Sequence, residues 1–171
     1  MKKCVLAAAC AAVLGSGCAV TEDKEASATA KLEPRSGSSV QGTVTFTQVG
    51  ELVRVSGTVT GHTKGPKGFH IHEKGDCSDE KSMNTGGHFN PTKSQHGGPY
   101  EPVKHAGDLG NLNFSEAGEA KFSFVVGDIS VSADRPDGIL GRAVIVHAQV
   151  DDLKTDPTGN AGGRVACGVI K

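Results

Sequence analysis

Large aromatic side chains are scarce in this chain. It has no tryptophan and one tyrosine, and Phe, Trp and Tyr together make up 4% of its 171 residues. Val, Ile, Ala and six Phe are left to fill a core. There is no basic excess either, since 18 Lys and Arg face 19 Asp and Glu, for a formal charge of −1. That excludes the clustered positive charge that nucleic-acid binding requires, so no nucleic-acid partner is expected. No stretch repeats apolar residues at helical spacing, which argues against a helical domain. The longest apolar run is Val5–Leu14. At about ten residues it is too short for a membrane span and suits the centre of a signal peptide.

Lys2 and Lys3 precede that run, and Gly15, Ser16 and Gly17 follow it, so residues 1–17 read as a signal peptide. Small residues running into Cys18 resemble the bacterial lipoprotein box, although Leu14 stands four places before the cysteine instead of three. Lipidation of Cys18 is the expectation, with plain secretion as the alternative. Residues 18–38 are mostly Ala, Ser, Thr, Glu, Asp and Lys, with one Leu and one Pro. Such a composition cannot fill a core and reads as a disordered tether, spanning about 25 Å as a coil. The expected location is the periplasm or the cell surface, with the membrane touched only through lipid. Shedding Lys2 and Lys3 with the leader makes the mature chain more negative.

Residues 39–171 suit one domain. Val40, Gly42, Val44 and Phe46 alternate with polar residues, and after Val49-Gly50-Glu51 so do Val53, Val55, Gly57 and Val59. A period of two marks half-buried strands, and this pair reads as a hairpin. Ala120, Phe122, Phe124 and Val126 repeat the pattern after a turn at Ser115–Glu119. Ala143–Val146 is apolar on both faces and reads as a central strand, and Val165–Ile170 as a last one. Two long polar loops separate these strands, one over about 74–105 and one over about 151–163. Loops of that length in a compact domain are commonly functional. The fold class expected is all-β, a Greek-key antiparallel β-sandwich or barrel with two long functional loops.

Five cysteines sort by position. Cys4, Cys10 and Cys18 lie in the export segment, leaving Cys77 and Cys167 in the domain. An exported pair favours one disulfide, two buried thiols being the alternative.

The seven histidines are the chemical signal. His70 and His72 alternate with Phe69 and Ile71, so on a strand both imidazoles share one face. His88, His96 and His105 punctuate the first long loop, Asp108 follows, and His147 ends the buried strand. His62, in the turn Gly61-His62-Thr63, reads as a surface residue. Buried imidazoles each need a partner, and a metal ion supplies one to several at once. Three His with a carboxylate suit tetrahedral zinc. A cluster of imidazoles alone suits copper.

Five segments resemble the signatures of the copper/zinc superoxide dismutases. They are Gly68-Phe69-His70-Ile71-His72-Glu73, Gly87-His88-Phe89-Asn90-Pro91, His105-Ala106-Gly107-Asp108-Leu109-Gly110-Asn111, Gly141–His147 and Gly159–Ile170. They stand in the family's order and cover nearly the whole domain. The resemblance implies copper on His70, His72, His88 and His147, and zinc on His88, His96, His105 and Asp108, with His88 shared between the metals. It also implies an orienting role for Asp151, a Cys77–Cys167 disulfide and attraction of the substrate anion by Arg164. The activity implied is dismutation of superoxide, the substrate partner, to oxygen and hydrogen peroxide. One copper and one zinc per chain are implied as cofactors, and a homodimer is left open. The segment from His147 to Arg164 is shorter than in the animal enzymes, which trims the loop that guides the anion. The competing reading is a non-catalytic metal-binding module on the same fold.

Overall fold

The computed structural model describes residues 25–171. The signal-peptide and Cys18 expectations lie outside the described residues. The described residues form eight strands, β1 (Ser27–Pro34), β2 (Gln41–Val49), β3 (Leu52–Thr60), β4 (Gly65–His72), β5 (Asp108–Phe114), β6 (Glu119–Val126), β7 (Ala143–His147) and β8 (Arg164–Val169), and one short 3-10 turn at Met83–Thr85. Every strand pair is antiparallel, in the order β5-β4-β7-β8-β1-β2-β3-β6. The outermost strands, β5 (Asp108–Phe114) and β6 (Glu119–Val126), are joined by the tight turn at Ser115–Glu119. The sheet therefore curls into a nearly closed barrel. Besides that turn across the open edge, two steps in the chain, β3 to β4 and β6 to β7, join strands that are not paired, which is the Greek-key crossover.

The anticipated hairpin is β2 (Gln41–Val49) with β3 (Leu52–Thr60), in register from Gln41↔Thr60 to Val49↔Leu52. Gly50 turns it at φ +59°, a conformation glycine adopts without steric cost. Val40, Val44, Phe46, Val53, Val55 and Val59 all face the core, as alternation requires. On β6, Ala120 and Val126 are buried while Phe122 and Phe124 pack half-buried against the core. Phe122 meets Phe69 edge-on, with centroids 5.5 Å apart.

Two strands depart from expectation. The tether reading fails for Ser27–Pro34, which is β1. Ala28, Ala30 and Leu32 are buried there, while Ser27, Thr29, Lys31 and Glu33 are exposed. Average composition concealed a strict two-residue period. β1 pairs with β2 from Ser27↔Thr47 to Leu32↔Gly42, and its end pairs with β8 through Glu33↔Cys167 and Pro34↔Ala166. It thus joins the two halves of the barrel. The second departure is β5, whose alternation is broken at Gly110, φ +78°, beneath the ring of Pro99.

β7 (Ala143–His147) is buried throughout and runs between β4 (Gly65–His72) and β8 (Arg164–Val169). Two loops rise beside these three strands, residues 73–107 and 148–163. Cys77 in the first is disulfide-bonded to Cys167 on β8, with Cα atoms 5.9 Å apart and a sequence separation of 90. Closing a loop of that length contributes about 4–5 kcal/mol in the chain-entropy account. Arg35, just after β1, donates from Nε and Nη2 to the Cys77 carbonyl at 3.1 and 2.9 Å.

Leu32→Ala tests whether β1 belongs to the folding unit. Urea unfolding of the protein should show a loss of about 2–5 kcal/mol. An unchanged midpoint would return β1 to the tether.

Candidate metal centre

The site grows from the end of β4. Phe69 and Ile71 face the core there, and His70 and His72 face the loops, all four fully or almost fully buried. Three backbone hydrogen bonds weave loop residues onto this strand. Phe89 N–H donates to Ile71 O (2.8 Å), Gly107 N–H to Phe89 O (2.8 Å) and Ile71 N–H to Gly107 O (2.9 Å). The approach at Gly107 is so close that a Cβ would lie 2.3 Å from Ile71 O. The weave sets His88 and His105 beside the β4 histidines. Asp108 Oδ2 then accepts from the backbone N–H groups of Gly97 (3.1 Å) and His105 (2.8 Å), which gathers the His96 segment.

Ring-by-ring accounting separates two donor sets. His70 Nε2 is bonded to Asp151 Oδ2 at 2.7 Å, leaving Nδ1 without a partner. His72 Nδ1–H donates to Gly86 O (3.0 Å) and His147 Nδ1–H to Gly162 O (3.1 Å). Their Nε2 atoms consequently keep lone pairs, and these face one another at 3.4 Å. His88 Nε2 is buried and unpartnered. These four nitrogens form one set, with His70, His72, His88 and His147 able to place a donor atom each within 4.8 Å of the others. In the second set, Asp108 Oδ1 lies 2.8, 3.1 and 3.2 Å from Nδ1 of His88, His96 and His105. His96 Nδ1 is out of hydrogen-bond alignment and buried without a partner. His88 serves both sets, through Nε2 and Nδ1.

Orphaned buried ring nitrogens are costly unless something binds them. A cation at each set removes the cost, so the residues fit two metal ions. The sets differ in chemistry: four imidazoles in one, three imidazoles and a carboxylate in the other.

Electrostatics agree. Burial pushes the imidazoles of His72 and His147 well below their ordinary value, and neighbouring rings and Arg164 add to it. Burial likewise brings His70 down to about 4, against the pull of Asp151. All three are neutral near pH 7 and hold lone pairs. Burial opposes ionisation of Asp108, but bonds to His105, His88 and His96 outweigh it and hold the carboxyl far below the usual range. Burial opposes charge on His96, but it stands between two carboxylates, and their attraction overcomes that burial and raises it to about 10. The second set demands positive charge.

Asp151 spans the two sets. Its Oδ2 meets His70 and its Oδ1 meets His96 Nε2 at 2.9 Å. Asn111 holds it in place, accepting from Asp151 N–H (2.8 Å) and donating to Asp151 O (3.0 Å). Gly159, at φ +61°, leaves room for this bridge, since a Cβ there would sit 1.9 Å from Asp151 Oδ1 and 2.6 Å from His96 Nε2.

Arg164, half-buried at the start of β8, binds the 82–86 segment. Nη1 donates to Ser82 O and Thr85 Oγ1 and Nη2 to Gly86 O, each at 2.7 Å. His72, His88, His147 and Arg164 all line one open cleft of about 680 Å³, with Lys81 at its edge. One histidine departs from expectation. His62 is half-buried, with Nε2 3.1 Å from the carbonyl of His147, where the sequence suggested a surface residue. Its turn setting carried no signal of that contact.

The fold and the site together define a β-barrel metalloprotein built for two adjoining cations that share an imidazole. The family model for copper/zinc superoxide dismutase matches residues 40–170. Superoxide dismutase (Cu-Zn) 2 of Brassica juncea is 47% identical over 138 residues, covering 77% of this chain and 89% of that protein. A solved structure described as the clock protein EA4 is 46% identical, with a TM-score of 0.77, over 85% of this chain and 94% of the other. The chain belongs to the copper/zinc superoxide dismutase family.

Gly159→Ala should push Asp151 off His96. Partners of this kind are worth about 10–100-fold in metal affinity, so a zinc competition titration should show a loss in that range. Wild-type zinc affinity in the variant would mean that the bridge does not support the second set.

Proposed function

We propose that the chain dismutates superoxide to oxygen and hydrogen peroxide, with copper held by His70, His72, His88 and His147 and zinc by His88, His96, His105 and Asp108. The observation that carries this reading is the pair of donor sets sharing His88, opening onto a cleft that also presents Arg164. Copper when bound supplies a one-electron couple, oxidising one superoxide and reducing a second, and zinc supplies a fixed charge.

The chain's own residues do the rest. Gly86 O and Gly162 O fix the tautomers of His72 and His147, so both Nε2 lone pairs are left to the four-imidazole set. Asp151 fixes His70 in the complementary tautomer, Nδ1 free. His88 presents Nε2 on the cleft side, where that nitrogen, when not ligating copper, can carry one of the two protons that peroxide formation consumes, the other coming from solvent water. Asp108 keeps His88 Nδ1 oriented toward the second set. Arg164 holds a permanent positive charge beside the cleft, where it attracts a small anion.

Superoxide decay measured with the domain loaded with both metals, against the metal-free domain, tests the activity directly. Arg164→Ala should lower the bimolecular rate about tenfold, or ~1.4 kcal/mol, with both metals retained, and Arg164→Lys should recover most of it. The wild-type rate should fall as salt rises. An Arg164→Ala enzyme with full metal content and unchanged kinetics at low salt would refute the guidance role.

The protein is proposed to be exported and anchored outside the cytoplasm through lipid on Cys18. The lead run Val5–Leu14 and the small residues before Cys18 support this. Cys18→Ser should move it from the membrane fraction to the soluble fraction with activity intact. A wild-type protein already soluble with an unmodified mature N-terminus would end the lipoprotein reading.

A further inference from the structure

The connection between β3 and β4, residues 61–64, carries His62 to the outer side of the strand end that bears His147. The turn is itself held. Gly61 N–H donates to Gly118 O (2.9 Å), and Ser39 Oγ donates to Gly61 O (3.1 Å). The imidazole packs against Phe114, with ring centroids 5.0 Å apart.

Its two nitrogens have different partners. Nδ1 accepts from the backbone N–H of Thr63 at 2.7 Å, with the Thr63 hydroxyl at 3.2 Å. An atom that accepts from a backbone N–H carries no proton of its own, so the ring proton sits on Nε2. Nε2–H therefore donates to the carbonyl of His147 at 3.1 Å.

That carbonyl lies where the ladder is irregular. The pairing of β7 with β8 shifts between Val146 and His147, and Ala148 N–H leaves the strand register to bond Gly163 O (2.8 Å). On the far side of the same residue the imidazole is tethered by Gly162 O. The carbonyl of His147 and its ring are thus each held by a hydrogen bond from outside the strand, and the orientation of Nε2 depends on both.

We propose that His62 is a positioning residue, which through its Nε2–H sets the tilt of the His147 imidazole in the four-imidazole set. The proposal rests on the reading of His147 as a copper ligand. His62 lies three residues before β4, the strand that carries His70 and His72. One hydrogen bond therefore ties the approach to two ligands to the backbone of a third. A partner that orients a metal-binding ring is worth about 10–100-fold in metal affinity, and a tie one step removed belongs at the lower end of that range.

The test uses the full exported protein loaded with copper and zinc, in four forms: wild type, His62→Leu, His62→Gln and His147→Ala. The cupric electron paramagnetic resonance spectrum and the rate of copper loss to a chelator are read, with zinc content alongside. His62→Leu keeps the bulk and removes both ring hydrogen bonds. It should shift the copper spectrum and speed copper loss about tenfold, leaving zinc in place. His62→Gln restores an N–H donor at the position of Nε2 and should return both readouts toward wild type.

A wild-type spectrum and copper loss in His62→Leu would overturn the proposal, even if its melting temperature falls, because that is what a merely structural contact predicts. A spectrum as shifted in His62→Gln as in His62→Leu would overturn it too, since ring packing would then be the cause. Should His62→Leu fail to fold, His62→Gln decides alone, and a wild-type spectrum is required of it. His147→Ala keeps the two ideas apart. An unchanged spectrum there sinks the ligand reading itself, whereas a changed one beside an unchanged His62→Leu sinks only the role of His62.

Discussion

The carboxylate of Asp151 makes one site of two. One oxygen meets His70 and the other meets His96, at 2.7 and 2.9 Å. Each bond settles which nitrogen of its histidine remains for a metal, and each histidine belongs to a different donor set. A carboxylate that is fully buried at its side chain carries a large desolvation cost unless its lone pairs are used. Here they are used by the two rings and by Leu153 N–H, and Asn111 fixes the backbone on either side. Burial alone would raise the Asp151 carboxyl, yet these bonds hold it below the ordinary carboxylate range. The charge so retained is what two cations require nearby. The φ +61° glycine at 159 gives this bridge its space.

The barrel supplies rigidity where the loops cannot. Only His70, His72 and His147 sit on strands, and Asp108 opens another. His88, His96 and His105 come from a loop with almost no regular structure, which is ordered by ties of another kind. The disulfide fixes one end to β8, and Arg35 grips the carbonyl of Cys77. Backbone bonds through Phe89 and Gly107 stitch the middle onto β4. A metal ion in the second set would close the remainder, contributing both ordering and charge balance. Loss of any one tie leaves the others, which is why the predicted effects of single changes are moderate.

Much of this was legible in the residues. Alternation located β2, β3 and β6, and a doubly apolar run located β7, because the period of two survives wherever one strand face is wet or both are dry. The histidine clusters that the fold brings together were legible because buried imidazoles at those positions make little sense as plain structure, whereas the share of each metal among them was implied only by the resemblance to the copper/zinc superoxide dismutases. β1 was not, since Ala28 and Ala30 add little hydrophobicity to a window dominated by charge, and only their alternation marks them. β5 was not, since Gly110 interrupts its pattern under Pro99. His62 was misjudged for a different reason. Its partner is a main-chain carbonyl 85 residues away, and such a contact leaves no trace in side-chain type or spacing. For Arg164 the structure adds what spacing could not supply. It binds the 82–86 segment, and the 148–163 loop lies beyond its hydrogen bonds.

The choice of those acceptors explains how one arginine can serve a cleft in a net-negative protein. A guanidinium beside a carboxylate forms a dipole, and its field falls off quickly. Arg164 has no ion-pair partner among the described residues. Its donors go to two carbonyls and a hydroxyl, all neutral. The fork is held in one orientation, and no carboxylate contacts it, although Asp79 acts on its charge from further off. Partial burial lowers its affinity for the proton slightly, but an arginine begins so far above neutrality that it stays charged. The same bonds reach the ring of His72, since Gly86 O accepts from both Arg164 Nη2 and His72 Nδ1. The guanidinium and the His72 ring are therefore joined at a single carbonyl. A lysine could supply the charge there, but a single ammonium could not span Ser82, Thr85 and Gly86 in the fixed geometry of the guanidinium fork.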